Sequence, residues 1–309
     1  MIKLGLIGLG RWGGIYLKTV SEMSGVKILR AAGRAHQQHT LVEYPDVEFT
    51  DDWGSICSDP TLDGIIVATS PQSHYEVTKL ALDNGIPCIV EKPFTLSLAE
   101  TIELQRIQLR SNVLCMVAYT HLFSPAYKHL KSRVYKSSGI KKIYSEGFSS
   151  GPYRRAVPVL WDWGSHEISM CLDLLQMPVL SSTLSILYSN DLSEQEKIYC
   201  LRMMFPQNIE ATCLFGNAAE YKRRDFFVDC GDEHFLYDGL SDGLSKSFHA
   251  RDLSADSDIF KRAPRPMNCL IEEFLYHIKL KSSHHHSLGL AVKVNTLISR
   301  LGAGTVIQQ

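Results

Sequence analysis

The chain has 309 residues, 45 % hydrophobic and 21 % charged, with a formal net charge of −1. At roughly 150 residues per domain, that length predicts two domains of ordinary globular composition. The near-zero charge argues against nucleic acid or an anionic membrane surface as a partner, and no run of ~18 apolar residues is present to span a bilayer.

The opening residues, MIKLGLIGLG, lack the apolar region and cleavage site of a signal peptide, so a cytoplasmic protein is expected. The eight cysteines, at 57, 88, 115, 171, 200, 213, 230 and 269, form no C-x-x-C pair. Most lie in apolar runs such as IPCIV and VLCMV, which predicts buried free thiols in a reducing compartment rather than a disulfide or metal framework. The run His284-His285-His286 reads as a loop between helices, with adventitious metal binding as the alternative, and no metal is expected at the site. Lys141-Lys142 and Tyr221-Lys222-Arg223-Arg224 read as solvated loop faces.

In chain order, residues 2–7 form an apolar strand, followed by GLGRWGG and a helical pattern to about Met23. Strands are predicted at 26–32 and 64–69, the second apolar throughout, as a strand buried on both faces should be. Ser73-His74-Tyr75-Glu76 has the form of a capping box, and Asn84-Gly85 closes the helix it opens. A strand at 86–90 follows, then a second capping box, Ser97 to Glu100, opening a helix to about Arg110, then a strand at 113–118.

This βαβα order predicts a Rossmann-type doubly wound parallel sheet over residues 1–119. Beyond it the pattern changes. Strand-like runs crowd between 182 and 238 (STLSILY, IYCLRMMF, IEATCLF, DFFVDCG, EHFLYDG) with no helices between them. Residues 120–309 are therefore predicted to form an α+β domain with a large, mostly antiparallel open sheet. Flanking helices are predicted at about 166–176, 267–281 and 288–301.

Gly8-Leu9-Gly10-Arg11-Trp12-Gly13 reads G-x-G-x-x-G after a strand and before a helix, the context that a dinucleotide fingerprint requires. Gly8 would allow the tight turn, Gly10 the close approach of a pyrophosphate, and Gly13 the packing of helix on strand. The helix start would offer N–H groups to the phosphates. About 20 residues on, NAD enzymes usually place an acid for the ribose hydroxyls. This chain has Ala32-Gly33-Arg34-Ala35-His36, and an arginine there suits a 2′-phosphate. NADP is the expected cofactor, with NAD the alternative, since an arginine can also stack on adenine.

Two further motifs carry chemistry. Glu91-Lys92-Pro93 ends a predicted strand, on the side of a parallel sheet where ligands bind, and a lysine there can stabilise charge on an oxygen. Asp162-Trp163-Gly164-Ser165-His166 opens a helical run whose apolar stripe is Ile168, Cys171, Leu172 and Leu175, and it sets Asp162 and His166 four apart on one face. Taken singly, Lys92 could be a solvated lysine, and Asp162 or Ser165 a helix cap.

Together, the glycine loop, VATSPQSHYEVTKLALDNGIPCIVEKP and DWGSH resemble the Gfo/Idh/MocA oxidoreductases, which include glucose–fructose oxidoreductase and inositol dehydrogenase. The resemblance implies that Lys92, Asp162 and His166 are catalytic: His166 the acid–base group, Lys92 sharing its oxygen, and Asp162 orienting substrate or His166. It implies cofactor contacts from Arg11, Trp12, Thr69, Ser70, Pro71, His74 and Glu91 beside the glycines and Arg34. The implied reaction is hydride transfer between a nicotinamide and a hydroxyl or carbonyl carbon of a sugar-type substrate.

The chain departs from the family pattern where Gln72 replaces a frequent Asn, where Ser169 replaces a second Asp, and where Tyr119 to Pro125 lacks a frequent arginine. These departures bear on substrate contacts. Tyr119, Tyr153, Arg154, Arg155 and Trp161 are the substrate-binding candidates, because aromatics stack on sugar faces and arginines bind carboxylate or phosphate. A nucleotide sugar or sugar acid is expected first, a free sugar or cyclitol next. Two other readings stay open: a reductase of a non-sugar carbonyl or imine, and a non-catalytic dinucleotide sensor. The apolar positions on the second domain's sheet, together with the family's habit, imply a homodimer or homotetramer through that sheet.

Overall fold

The computed structural model describes residues 1–151, 157–190, 193–241, 244–249, 252–258 and 263–303. They form two compact units, one of residues 1–119 with 267–295, the other starting at Thr120 and running to Pro266, with α8 contributing from Thr296 on.

The first unit follows the predicted alternation: β1 (Ile2–Ile7), α1 (Arg11–Ser21), β2 (Val26–Ala32), β3 (Glu48–Thr50), α2 (Trp53–Cys57), β4 (Gly64–Val67), α3 (His74–Asp83), β5 (Cys88–Glu91), α4 (Leu98–Ser111) and β6 (Cys115–Ala118). The six strands pair in the order β3-β2-β1-β4-β5-β6, all parallel. The order reverses direction between β1 and β4, and at such a switch point the strand ends open a ligand crevice. Every residue of β4, β5 and β6 is buried, as their apolar runs require of strands covered on both faces. Helix α1 presses Tyr16, Leu17 and Val20 into this core, with Trp12 only half-buried.

Local chemistry sets the helix ends. Ser97 Oγ accepts from Glu100 N–H, so the second capping box forms its side-chain bond. Gly85, at φ +74°, and Ile86 return bonds to Leu82 and Ala81 and close α3. Ser73 differs from expectation. A 3₁₀ turn at Pro71–Ser73 leads into α3, and Ser73 Oγ donates to Thr69 Oγ1 at 2.8 Å and Ser70 O at 3.0 Å instead of capping the helix. Two late helices, α7 (Pro266–Lys279) and α8 (His286–Ala303), bring residues to this unit. Asn295 of α8 bonds Thr101 Oγ1 at 2.6 Å, and Thr101 shares a 2.7 Å bond with Thr95.

The second unit is built on an eight-stranded sheet: β7 (Lys142–Ser150), β8 (Ser181–Asn190), β9 (Ser193–Phe205), β10 (Ile209–Gly216), β11 (Ala218–Asp229), β12 (Glu233–Asp238), β13 (Leu244–His249) and β14 (Asp252–Asp258). The order is β14-β13-β12-β11-β7-β10-β9-β8, antiparallel except where β7 runs parallel to β10. Helices α5 (Pro125–Val134) and α6 (Ser165–Leu175) cover one face and bury the alternate positions of β10 and β12. The opposite face carries a cross-strand row, Tyr144 on β7 against Phe227 on β11, itself opposite Leu236 on β12. Tyr144 is 45 % exposed.

All eight cysteines are free, and only Cys200 and Cys269 are not fully buried. Burial pushes the Cys57 thiol up to about 12, so it is inert at neutral pH. Among the described residues, no helix is long and apolar enough to cross a membrane.

Candidate active site

The chemistry-bearing residues of the first unit gather at the C-terminal ends of its strands. After β1 the chain turns at Gly8, which has φ +105° and donates its N–H to Ala32 O at 2.8 Å. A side chain at Gly8 would strike the backbone of Ala68 and Thr69 at 2.6–2.7 Å, so the glycine turn and the turn after β4 touch directly. Gly10 is exposed and precedes α1, whose first turn has no side-chain cap and no acid. Its N–H groups are the fixed partial positive charge that favours an anion. Arg11 is exposed beside it.

Arg34 follows β2 on a turn that leads into a 3₁₀ segment, Ala35–Leu41. Its N–H donates to Gln37 Oε1 at 3.0 Å and its side chain is exposed. The segment lies against the start of α1: Thr40 Oγ1 donates to Leu9 O, and Gln37 Nε2 is 4.0 Å from where a side chain on Gly10 would begin. The arginine and the helix N-terminus thus share one edge of the sheet, as a ligand with two phosphate sites requires.

Thr69 and Ser70 form the turn after β4 and Pro71 opens the 3₁₀ turn. His74, fully buried, ties that turn to the next one. Its Nε2 meets Thr69 O at 3.2 Å, and its Nδ1 meets Pro93 O at 3.0 Å and Phe94 O at 3.2 Å. Burial lowers its pKa and outweighs the carbonyl bonds that favour a proton. His74 therefore lies between two backbone turns and, with the single N–H of a neutral ring, donates to the carbonyls of one turn at a time while packing against the other.

Glu91 ends β5, is 4 % exposed, and accepts from Tyr16 Oη at 2.9 Å. Burial first and the Glu91 charge second raise the Tyr16 pKa, so the phenol stays a donor. Glu91 also accepts from Lys92 N–H at 3.2 Å. Lys92, 8 % exposed, precedes a cis bond to Pro93. The buried carboxylate, held by Tyr16 of α1, thus fixes the backbone from which Lys92 projects. Tyr119, just past β6, is buried, and its hydroxyl finds no hydrogen-bond partner among the described residues. Burial raises its pKa well above the usual phenol value, so it stays a neutral donor.

In the second unit, Asp162 and His166 are 6 % and 8 % exposed. They do not share one regular α-turn. Residues Leu160–Gly164 form a π-turn that passes into α6 at Ser165, and single π-turns are frequent at functional sites. Tighter bonds lead into the wide turn, with Trp161 and Asp162 N–H donating to Pro158 O at 2.9 and 3.0 Å. Gly164 fits because a side chain there would press on Phe215 at 3.0 Å. Trp161 is half-buried on the same turn. Tyr153, Arg154 and Arg155 lie outside the described residues.

Four groups around His166 were not read as site residues from the sequence, and one of them, Arg224, lies on β11 with its side chain 15 % exposed rather than on the solvated loop expected for Tyr221–Arg224. The His121 ring stands edge-on to it, centroids 5.2 Å apart at 81°, and His121 Nδ1 meets Tyr237 Oη at 3.0 Å. The Tyr237 hydroxyl is pushed up to about 12, mainly by burial. Next to His166 in sequence, Glu167 is a buried carboxylate bonded to Arg224 Nη1 at 3.1 Å and to Ser145 Oγ. Its pKa is raised by burial despite the lowering from Arg224 and Ser145. The Arg224 guanidinium lies 4.7 Å over the Trp163 ring. Gly147 of β7 makes room for the carboxylate, since a side chain there would begin 2.2 Å from Glu167 Oε1. The void shared by His121, Glu167, Arg224 and Tyr237 is about 10 Å³, no more than one water. This cluster positions α6 and its histidine and is not itself a substrate pocket.

Comparison with known proteins fits this geometry. Residues 2–119 match the profile of the Gfo/Idh/MocA oxidoreductase family, described as having an NAD-binding Rossmann fold. An NAD(+)-dependent scyllo-inositol 2-dehydrogenase of Bacillus subtilis is 31 % identical over 153 residues, 48 % of this chain and 44 % of the relative. The NADP(+)-dependent scyllo-inositol 2-dehydrogenase IolW of the same organism is 24 % identical over 277 residues, 84 % of this chain and 75 % of the relative. The chain thus matches less than half the length of the first of these and three quarters of the second. The crystal structure of a candidate oxidoreductase from Magnetospirillum magnetotacticum MS-1 superposes with a TM-score of 0.84 at 27 % identity, over 96 % of this chain and 98 % of the other.

Proposed function

We propose that this chain, whose residues 2–119 match the Gfo/Idh/MocA oxidoreductase family, transfers a hydride between NADP and a CH–OH or carbonyl carbon of a polyol or sugar. The observation that carries this reading is the strand-end constellation of the first unit: the Gly8–Gly13 turn at the α1 N-terminus, Arg34 beside it, and Lys92 fixed by Glu91 and Tyr16. The nicotinamide supplies the hydride chemistry when bound. The glycine turn and α1 would hold the dinucleotide's pyrophosphate, with Arg11 and Trp12 flanking it, and Thr69, Ser70 and Pro71 would line the nicotinamide ribose. Lys92 stabilises negative charge on the reacting oxygen. His166 takes or gives the proton of that oxygen, and Asp162 orients the substrate hydroxyls or His166. His121, Glu167 and Arg224 keep the His166 ring and its helix in place.

Arg34 is the basis for preferring NADP. The two named inositol dehydrogenases use different cofactors, so the preference rests on the turn after β2. An exposed guanidinium there meets a 2′-phosphate, whereas no carboxylate is present to receive ribose hydroxyls. Titration followed by nicotinamide fluorescence is expected to show NADPH bound more tightly than NADH. Arg34→Ala should weaken NADPH by about 10- to 100-fold, as loss of a charge-assisted bond does, and leave NADH nearly unchanged. Equal weakening of both cofactors sinks the assignment.

For the substrate, a cyclitol such as scyllo-inositol is the first compound to offer with NADP, since the two relatives named above act on it. Nucleotide sugars form the second arm, because they would use Arg154 and Arg155. Turnover of neither, with tight NADPH binding, favours the sensor reading. We also propose a homodimer or homotetramer through the sheet face that carries Tyr144, Phe227 and Leu236, an apolar row that a second sheet would cover. Light scattering at micromolar concentration should return a multiple of the 34.7 kDa chain mass; the mass of a single chain rejects the assembly.

A further inference from the structure

The turn between α7 and α8 gathers groups that the proposed reaction does not use. Glu273 and His277 are four apart on α7 and share a face. His285 lies just before α8. One ligand atom from each residue can be chosen so that all three lie within 4.8 Å of one another. His285 Nε2 is 3.0 Å from Glu273 Oε1, and the His277 and His285 rings meet edge-on with centroids 5.3 Å apart. His277 Nδ1 is buried with no hydrogen-bond partner among the described residues.

The third corner of this triangle is built to be rigid. Ser287 Oγ holds His285 Nδ1 at 2.7 Å while accepting from Val117 N–H of β6 at 2.9 Å. Gln108 of α4 donates to Ser283 O of the same turn at 2.6 Å. Serine on one ring nitrogen aims the other nitrogen at Glu273, the outer-shell arrangement that orients ligating histidines. The His285 side chain is 3 % exposed and that of Glu273 26 %, which leaves an open side at the carboxylate.

We propose that Glu273, His277 and His285 form a site for a zinc-type divalent cation that joins α7 to the start of α8. Two imidazoles and one carboxylate are a common zinc donor set, with a fourth position open to water. Calcium and magnesium prefer all-oxygen cages, and among the described residues no cysteine belongs to the cluster to select a softer ion. The ion takes the Nε2 lone pair of His285. The ring proton then moves from Nε2 to Nδ1, where Ser287 Oγ can accept it, and the 3.2 Å bond that Ser287 N–H makes to that nitrogen is given up; the ring stays neutral and releases no proton. The site is independent of the hydride-transfer reading, and its test needs no substrate.

The test uses the untagged full chain, stripped with chelator, titrated with Zn²⁺ by calorimetry and with Co²⁺ by visible absorption. One equivalent per chain is expected, with a rise in melting temperature on Zn²⁺ and cobalt bands of low-coordinate N/O type. Loss of an outer-shell partner costs 10- to 100-fold, so removing a ligand in His277→Ala or Glu273→Gln should cost at least about 100-fold. Each variant's metal-free melting should stay near the parent's, which separates ligation from misfolding. Zn²⁺ binding that survives both substitutions overturns the site. So does binding abolished by His284→Ala or His286→Ala while His277→Ala retains it, which would show the histidine run acting alone.

Discussion

A Gly13→Ala chain is expected to lose about 3 kcal/mol of stability or more and to bind no dinucleotide. The methyl carbon would stand 2.0 Å from the Gly8 carbonyl oxygen and 3.0 Å from its carbon. Both are backbone atoms, so no rotamer relieves the clash, and helix α1 must separate from β1. Gly8 cannot yield. It sits at φ +105°, with Ala68 and Thr69 within 2.6–2.7 Å of the place a side chain would take. Gly10→Ala makes the matched control, because its nearest neighbour would be Gln37 Nε2 at 4.0 Å. It should cost about 1 kcal/mol or less, the difference between glycine and alanine before a helix, while NADPH affinity falls at least about 10-fold through obstructed approach of the pyrophosphate. Denaturation curves and fluorescence titrations of the two variants check this. A Gly13→Ala chain that melts with the parent, or a Gly10→Ala chain that binds NADPH as the parent does, refutes the division of labour.

That division was legible because the motif follows a strand and opens a helix. The strands of the first unit were equally legible, since β4, β5 and β6 are short apolar runs between turn residues. Strands β8 to β12 announced themselves by alternation. β7 did not: KIYSEGFSS carries two serines and a glycine on its way through the centre of a sheet. The structure explains them. Ser145 bonds the Glu167 carboxylate, and Gly147 gives it space. A strand that makes room for a buried charge loses the pattern by which strands are recognised. β13 and β14, LSKSFH and DLSADSD, carry too few apolar residues to alternate. Helix α5 had a signal that went unread: Ser124 before Pro125, then buried Ala126, Tyr127, Leu130 and Val134 at helical spacing.

The proposed site shows the same asymmetry between residues assigned to the ligand and residues that support them. Lys92, Asp162 and His166 stand in short motifs. Their supports come from distant segments: Tyr16 for Glu91, His74 for the turn after Lys92, and His121, Arg224 and Tyr237 around His166 and Glu167. None of these partnerships has a fixed sequence spacing, so no pattern of residues along the chain can reveal them. Asp162 also shows the limit of spacing arguments. Four residues apart reads as one α-helical face, yet the chain widens to a π-turn there, and Gly164 against Phe215 is the packing that sets it.

His166→Ala should lower turnover by 10²- to 10⁴-fold, the usual worth of a positioned acid–base group, and Lys92→Ala by about 10²- to 10³-fold, that of an oxyanion donor. NADPH affinity should change little in the histidine variant, because the role proposed for it is proton transfer, not cofactor binding. A merely structural histidine would behave differently. His166 is 8 % exposed and its ring packs on His121, so loss of packing would lower melting temperature and activity together. The separating observation is the pH profile. If His166 is the acid–base group, the limb of kcat/KM that reports its titration disappears in His166→Ala and persists in His121→Ala, whatever the drop in rate. The double variant adds a second constraint. If Lys92 and His166 serve one reacting oxygen, their combined loss falls well short of the product of the single losses, since groups that act as a unit are not additive. Strict multiplicativity would place them on different steps, and an unchanged pH profile in His166→Ala would return that histidine to the core of α6.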